Sequence, residues 1–173
     1  DHSGRVSAVN AKQLFSFPNP ANDHAARVVG AGVVLMASVA VLADLPWMLI
    51  PLTYGFAARV ATGPKLSPLG QLATRVVAPA IAKEPKLVPG PPKRFAQAIG
   101  LGFTAAASIV TLTAGWSAGR WVLVPLIAAA FLEAAFGICL GCISFAWLMR
   151  VGVIPEEVCE ACNDISLRVK TNA

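Results

Sequence analysis

From Phe95 to Gly115 the chain carries one strongly polar side chain, Gln97, and from Trp121 to Met149 it carries one charge, Glu133. As a helix, each run is long enough to cross the roughly 30 Å hydrocarbon core of a bilayer. Two shorter runs precede them. Val28 to Ala43 is uncharged and stops at Asp44-Leu45-Pro46, and Trp47 to Ala61 is interrupted by Pro51 and Arg59. Each of these covers about 23 Å at 1.5 Å per residue, slightly short of the core, and together they read as a tight helical hairpin. The whole chain agrees, with 56% apolar residues, 13% charged and a mean hydropathy of +0.66, where average soluble domains carry about 25% charged residues. A soluble globular domain and a disordered chain are both excluded. The expected class is an all-α integral membrane protein with four transmembrane helices.

The spans organise the rest of the chain. Residues 1–26 form a polar N-terminal segment, and 27–82 hold the first hairpin together with an amphipathic stretch from Ser67 to Ile81. In that stretch Leu69, Leu72, Val76 and Val77 fall near one helical face, away from Gln71 and Arg75, as in a helix lying on a membrane surface. Residues 83–94 are rich in Pro and charge and read as an interfacial linker. Residues 95–154 hold the second hairpin, turning between Gly115 and Arg120 with Trp116 and Trp121 as an aromatic belt. Residues 155–173 form a tail. The hairpins resemble copies: a constant offset sets Pro51 against Pro125, Leu52 against Leu126, Arg59 against Glu133, Gly63 against Gly137 and Leu66 against Leu140. A parallel repeat about an axis along the membrane normal is expected. Gly30, Gly32, Gly100 and Gly102 read as sites of close helix packing.

The net charge of +5 is a topology signal. Arg5, Lys12 and Arg27 precede the first span; Lys65, Arg75, Lys83, Lys86, Lys93 and Arg94 lie between the hairpins; Arg150, Arg168 and Lys170 follow the last; Arg120 is alone in a turn on the other side. The positive-inside rule makes the basic side cytoplasmic, giving a multi-pass protein of the inner (plasma) membrane with both termini in the cytoplasm. No cleavable signal peptide is expected. There is no basic run interleaved with aromatics, no phosphate loop, no Ser/His/Asp set and no H-E-x-x-H, so nucleic acid is not an expected partner.

All four cysteines stand in two C-x-x-C pairs, Cys139-Leu140-Gly141-Cys142 and Cys159-Glu160-Ala161-Cys162. This spacing fits a thiol–disulfide or sulfur relay, in which one thiolate attacks a disulfide or persulfide on a soluble thioredoxin-like or sulfurtransferase partner, its neighbour resolves the product, and the second pair, Cys159 and Cys162, passes electrons or sulfur onward. It equally fits four thiolates around one zinc or iron ion, and free cysteine also serves as a small packing residue. A permanent disulfide is the poorest reading on a cytoplasmic face. With a helix expected to start after Gly141, Cys142 is the expected nucleophile, held as thiolate by unpaired amides, and Cys139 the resolving thiol. Arg59 and Glu133 sit at equal depth in the second and fourth spans and are expected to pair across the hairpins. A transport route lined by Arg59 has only that charge to support it. His2 and His24 read as solvated.

Phe17-Pro18-Asn19-Pro20-Ala21-Asn22-Asp23, Gly63-Pro64-Lys65-Leu66-Ser67-Pro68, Pro92-Lys93-Arg94-Phe95-Ala96-Gln97 and Ala135-Phe136-Gly137-Ile138-Cys139-Leu140-Gly141-Cys142 together resemble a bacterial, largely actinobacterial, membrane family called domain of unknown function 4395. The resemblance carries over Cys139 and Cys142. It implies encoding near thioredoxin-like and rhodanese-like proteins, and hence a soluble partner of that kind beside the lipid bilayer, with an oligomer or larger membrane complex as a further form of assembly.

Overall fold

A computed structural model describes residues 17–81, 84, 86–159 and 162. His2, Arg5, Lys12, Lys83, Arg168 and Lys170 lie outside the described residues.

The first long helix, α1 (Asp23–Leu42), is capped by Asn22, whose side-chain oxygen accepts the N–H groups of His24 at 3.0 Å and Ala25 at 3.4 Å. A cap there supplies acceptors for donors that the first turn leaves without partners. Just before α1, strand β1 (Ala21–Asn22) pairs antiparallel with β2 (Leu87–Val88), Ala21 facing Val88. Two residues beyond α1, Asp44 takes a left-handed φ of 51°, a conformation Asp tolerates better than most residues. One 3-10 turn, Pro46–Met48, leads into α2 (Leu49–Thr62). Gly63, at φ 67°, closes α2. Ser67 then caps α3 (Pro68–Leu72), accepting the Gly70 N–H at 3.2 Å. The helix continues through a π turn, Ala73–Val77, into α4 (Ala78–Ile81).

α5 (Gly90–Ala114) begins earlier than Phe95. Pro91 and Pro92 sit in its first turn, where a missing N–H breaks no intrahelical bond, so Lys93 and Arg94 belong to the helix rather than to a linker. Gly115 alone makes the turn, and α6 (Trp116–Phe136) already contains Trp116 and Arg120. The final apolar run is not one helix. Gly137 adopts the left-handed conformation, φ 70°, and the chain restarts as α7 (Leu140–Arg150).

The helices interleave. α1 packs along α6, α6 along α5, and α5 along α2, whereas α1 and α2 touch each other little. Val33, Leu52, Phe56, Leu123 and Leu126 form the buried centre. Gly100 leaves room for the Phe56 ring, and Gly30 brings the backbone against Ala130 and Ala134. At one end Asp44 Oδ1 accepts from Trp116 Nε1 and from Arg120 Nη1, both at 3.1 Å, which brings the α1–α2 and α5–α6 connections together.

α1, α5 and α6 are long and apolar enough to cross a membrane, and they turn outward side chains such as Leu42 and Leu112, the latter 86% exposed. Such surfaces suit lipid rather than water. α2 has only 14 residues, about 21 Å at 1.5 Å per residue, and is not one of these three. In the stretch expected to be amphipathic, the buried face is Gly70, Ala73 and Ala78, with Leu69 against Gly32. Leu72 and Val76 point outward, away from α1, where close contact favours small residues.

Candidate functional site

Where α6 ends, the Gly137 N–H bonds Glu133 O at 3.0 Å and the Ile138 N–H bonds Leu132 O at 3.2 Å. The chain is thereby turned, and Cys139 emerges extended as the N-cap of α7. Its Sγ accepts the Cys142 N–H at 3.2 Å. Cys139 and Cys142 form a disulfide with Cα atoms 5.2 Å apart. The second motif closes in the same way, Cys159 to Cys162, with a Cα separation of 5.3 Å.

One face of α7 relates the two pairs. Cys142, Phe145 and Met149 follow one another at helical spacing. Phe145 meets Phe95 of α5 edge-on at 5.6 Å, and Cys159 is buried against Phe145 and Met149, with Cys162 beside them. A cavity of about 1040 Å³ opens here, lined by Cys139, Cys142, Cys162, Phe145, Lys93 and Arg150 among others. Cys139 is 9% exposed and Cys142 is half-buried.

Beside the cavity lies a buried charge cluster. Lys93 Nζ stands 2.9 Å from Asp23 Oδ1 and 2.9 Å from Glu133 Oε1, and Lys86 approaches Asp23 at 3.8 Å. Arg59, 5% exposed, donates from Nε to Gln97 Oε1 at 2.7 Å and from Nη1 to Ser67 Oγ at 3.1 Å, with its guanidinium over the Phe56 ring. Arg27 donates to Ala134 O and Ala135 O at the end of α6.

Three expectations change. Arg59 and Glu133 reach the same end of the bundle, but Glu133 is bonded by Lys93, whose ammonium stands between two carboxylates, and Arg59 takes neutral partners. The helix start belongs to Leu140, so the unpaired amide reaches Cys139 rather than Cys142, while Cys142 is the more exposed residue of the pair. The four thiolates do not converge on one ion: each cysteine bonds the other member of its own motif, and no group of three or more His, Cys, Asp or Glu among the described residues could hold a metal. Lys93, Asp23, Gln97 and Ser67 were not marked by the sequence as site residues. Asp23 looks like an ordinary acid in a helix's first turn, and the Pro pair before Lys93 reads as linker.

The family model described as "Domain of unknown function (DUF4395)" matches residues 21–150, which span α1 to α7 and the first cysteine pair but not the second. Neither the curated proteins nor the solved structures provide a match to the chain.

Proposed function

Because the chain belongs to the DUF4395 family, whose description assigns a domain and no activity, we propose from the site itself that it is a membrane-embedded thiol–disulfide relay serving a soluble thioredoxin-like partner. The observation that carries this reading is the single cavity onto which Cys139, Cys142 and Cys162 all open. Disulfides in a reducing compartment are usually transient and catalytic, and exchange rates depend on access to the attacked sulfur and on the acidity of the departing thiol. Cys142 offers the access. Cys139 offers the departure, since a thiolate at an N-cap is stabilised by the amide it accepts and by the helix dipole.

A partner thiolate attacks Cys142 Sγ, the Cys139–Cys142 bond breaks, and Cys139 leaves as thiolate. The partner's second thiol then displaces Cys142, closing the partner disulfide and leaving the protein's first pair as a dithiol. Cys142 next attacks Cys162, Cys159 leaves, and Cys139 resolves the Cys142–Cys162 bond. Two electrons have moved from the partner to the second pair, with the first pair restored as a disulfide.

The reading includes four spans in two hairpins, a parallel repeat, and a cytoplasmic basic end holding both termini. Matched hydrogen bonds support the repeat. Arg27 of α1 caps the end of α6 as Arg94 of α5 donates to Val60 O at the end of α2. Likewise the Asp23 N–H reaches Lys86 O and the Gly90 N–H reaches Asn19 Oδ1, on either side of the Ala21–Val88 pair.

The test is mixed-disulfide trapping with a soluble thioredoxin-like protein on non-reducing gels. With the partner supplied as its disulfide, so that the first exchange runs in reverse, the free Cys142 thiolate of Cys139→Ser should attack it and accumulate as a mixed disulfide, because the Cys139 thiol that would complete the exchange is gone, and Cys142→Ser should accumulate none through this pair. Equal trapping by both variants would sink the assignment of roles, and trapping by neither would sink the relay.

A further inference from the structure

A second cavity, of about 270 Å³, shares Pro20, Leu87 and Lys93 as a common wall with the cavity at the cysteines. Its body is apolar, built from residues such as Pro18, Val29 and Pro64, and its polar wall holds Arg59, Lys93 and Gln97. Two cationic side chains line it and no carboxylate does. Arg59 is buried, and the carboxylate that acts on it through space, Glu133, is in direct contact with Lys93 instead, so that among the described residues no carboxylate lies within ion-pair distance of the guanidinium. Its two bonded donors meet the neutral oxygens of Gln97 and Ser67. A guanidinium has five N–H donors in a fork that suits a carboxylate, and an ammonium has three, of which Lys93 uses two on Asp23 and Glu133. Thr74 joins the wall from the π turn Ala73–Val77, a helical irregularity frequent at functional sites.

We propose that this cavity binds a small amphipathic carboxylate, its anionic head on Arg59 and its compact apolar body against Pro18, Val29 and Pro64. A phosphate-sized polar anion would leave the apolar wall unfilled, and a neutral hydrocarbon would leave a desolvated guanidinium facing an apolar occupant. The volume lies just below the usual range of about 300 to 1,000 Å³ for small-molecule sites, which calls for a compact ligand. A carboxylate of this kind comes either from lipid, as a short fatty acid, or from water, as a small aromatic or aliphatic acid.

Thermal unfolding of the full chain in phosphatidylcholine nanodiscs, with octanoate, benzoate or octanol added, separates these cases. A ligand that binds only the folded state raises the melting temperature with concentration. Octanoate should raise it and octanol should not; a benzoate effect marks a water-borne acid, and an effect of octanoate alone marks a lipid-derived one. Arg59→Gln should weaken octanoate binding at least tenfold. Since that variant also loses structural bonds, a diazirine-bearing octanoate on the unaltered protein provides a second measurement, with labelling expected in residues 17–29 and 59–74 and competition by octanoate. Equal stabilisation by octanol and octanoate, or labelling spread along the outer faces of α5 and α6 without competition, would overturn the proposal. The Cys139→Ser/Cys142→Ser double variant should bind octanoate unchanged, so this site and the relay stand or fall separately.

Discussion

Lys93 is 7% exposed and touches two carboxylates, so its removal leaves Asp23 and Glu133 desolvated side by side. Breaking a buried ion pair from one side typically costs about 3 to 5 kcal/mol, much of it the penalty on the abandoned charge. Lys93→Met should therefore lower stability by that order, and adding Glu133→Gln should recover part of the loss. A double-mutant cycle by thermal unfolding in detergent should give a larger coupling for Lys93 with Glu133 than for Arg59 with Glu133, because only the former pair is in direct contact. Equal couplings would contradict the observed pairing. Glu133 and Arg59 stand out in the sequence by their cost inside apolar runs, but nothing in it chooses their partners. Lys93 lies forty residues from Glu133 on another helix, and nothing local marks a lysine after two prolines as buried.

At the scale of helices, two glycines on α5 separate packing from propensity. A Cβ at Gly100 would run into the Phe56 ring, while one at Gly102 meets nothing within 4 Å. Gly100→Ala should cost about 1 to 3 kcal/mol, the usual range for overpacking, whereas Gly102→Ala should stay within about 1 kcal/mol of the parent, helped by the better helix propensity of Ala. Melting curves of the two variants check this, and equal losses would mean that α2 does not seat against α5 at Phe56. The long apolar runs made three of these helices legible in advance, since hydropathy is a sum over many residues. The break at Gly137 is legible only through the repeat, which sets it against Gly63; composition hides it, because apolar residues continue on both sides and a single left-handed residue changes direction without changing composition. That break carried the expected helix start from Cys142 back to Leu140, and the amide stabilisation with it to Cys139. The C-x-x-C spacing itself was fully legible, but the cavity joining the two motifs depends on how α7 lies against Phe95.

For the molecule as a whole, the end holding Asp44, Trp116 and Arg120 opposes the end holding Lys93 and Arg27. In a cysteine-free background, Ser117→Cys should react with a membrane-impermeant maleimide on intact cells, and Lys86→Cys only after permeabilisation, as the cytoplasmic placement of the basic end requires. The reverse pattern would invert the proposed orientation. The interleaving of the helices also bears on synthesis. Chains are made from the N-terminus, so α1 and α2 emerge before α6 and α5, the surfaces against which they pack, have been translated. Until α5 and α6 have been made, Arg59 lacks Gln97, Asp23 lacks Lys93, and α1 lacks the helix along which it packs.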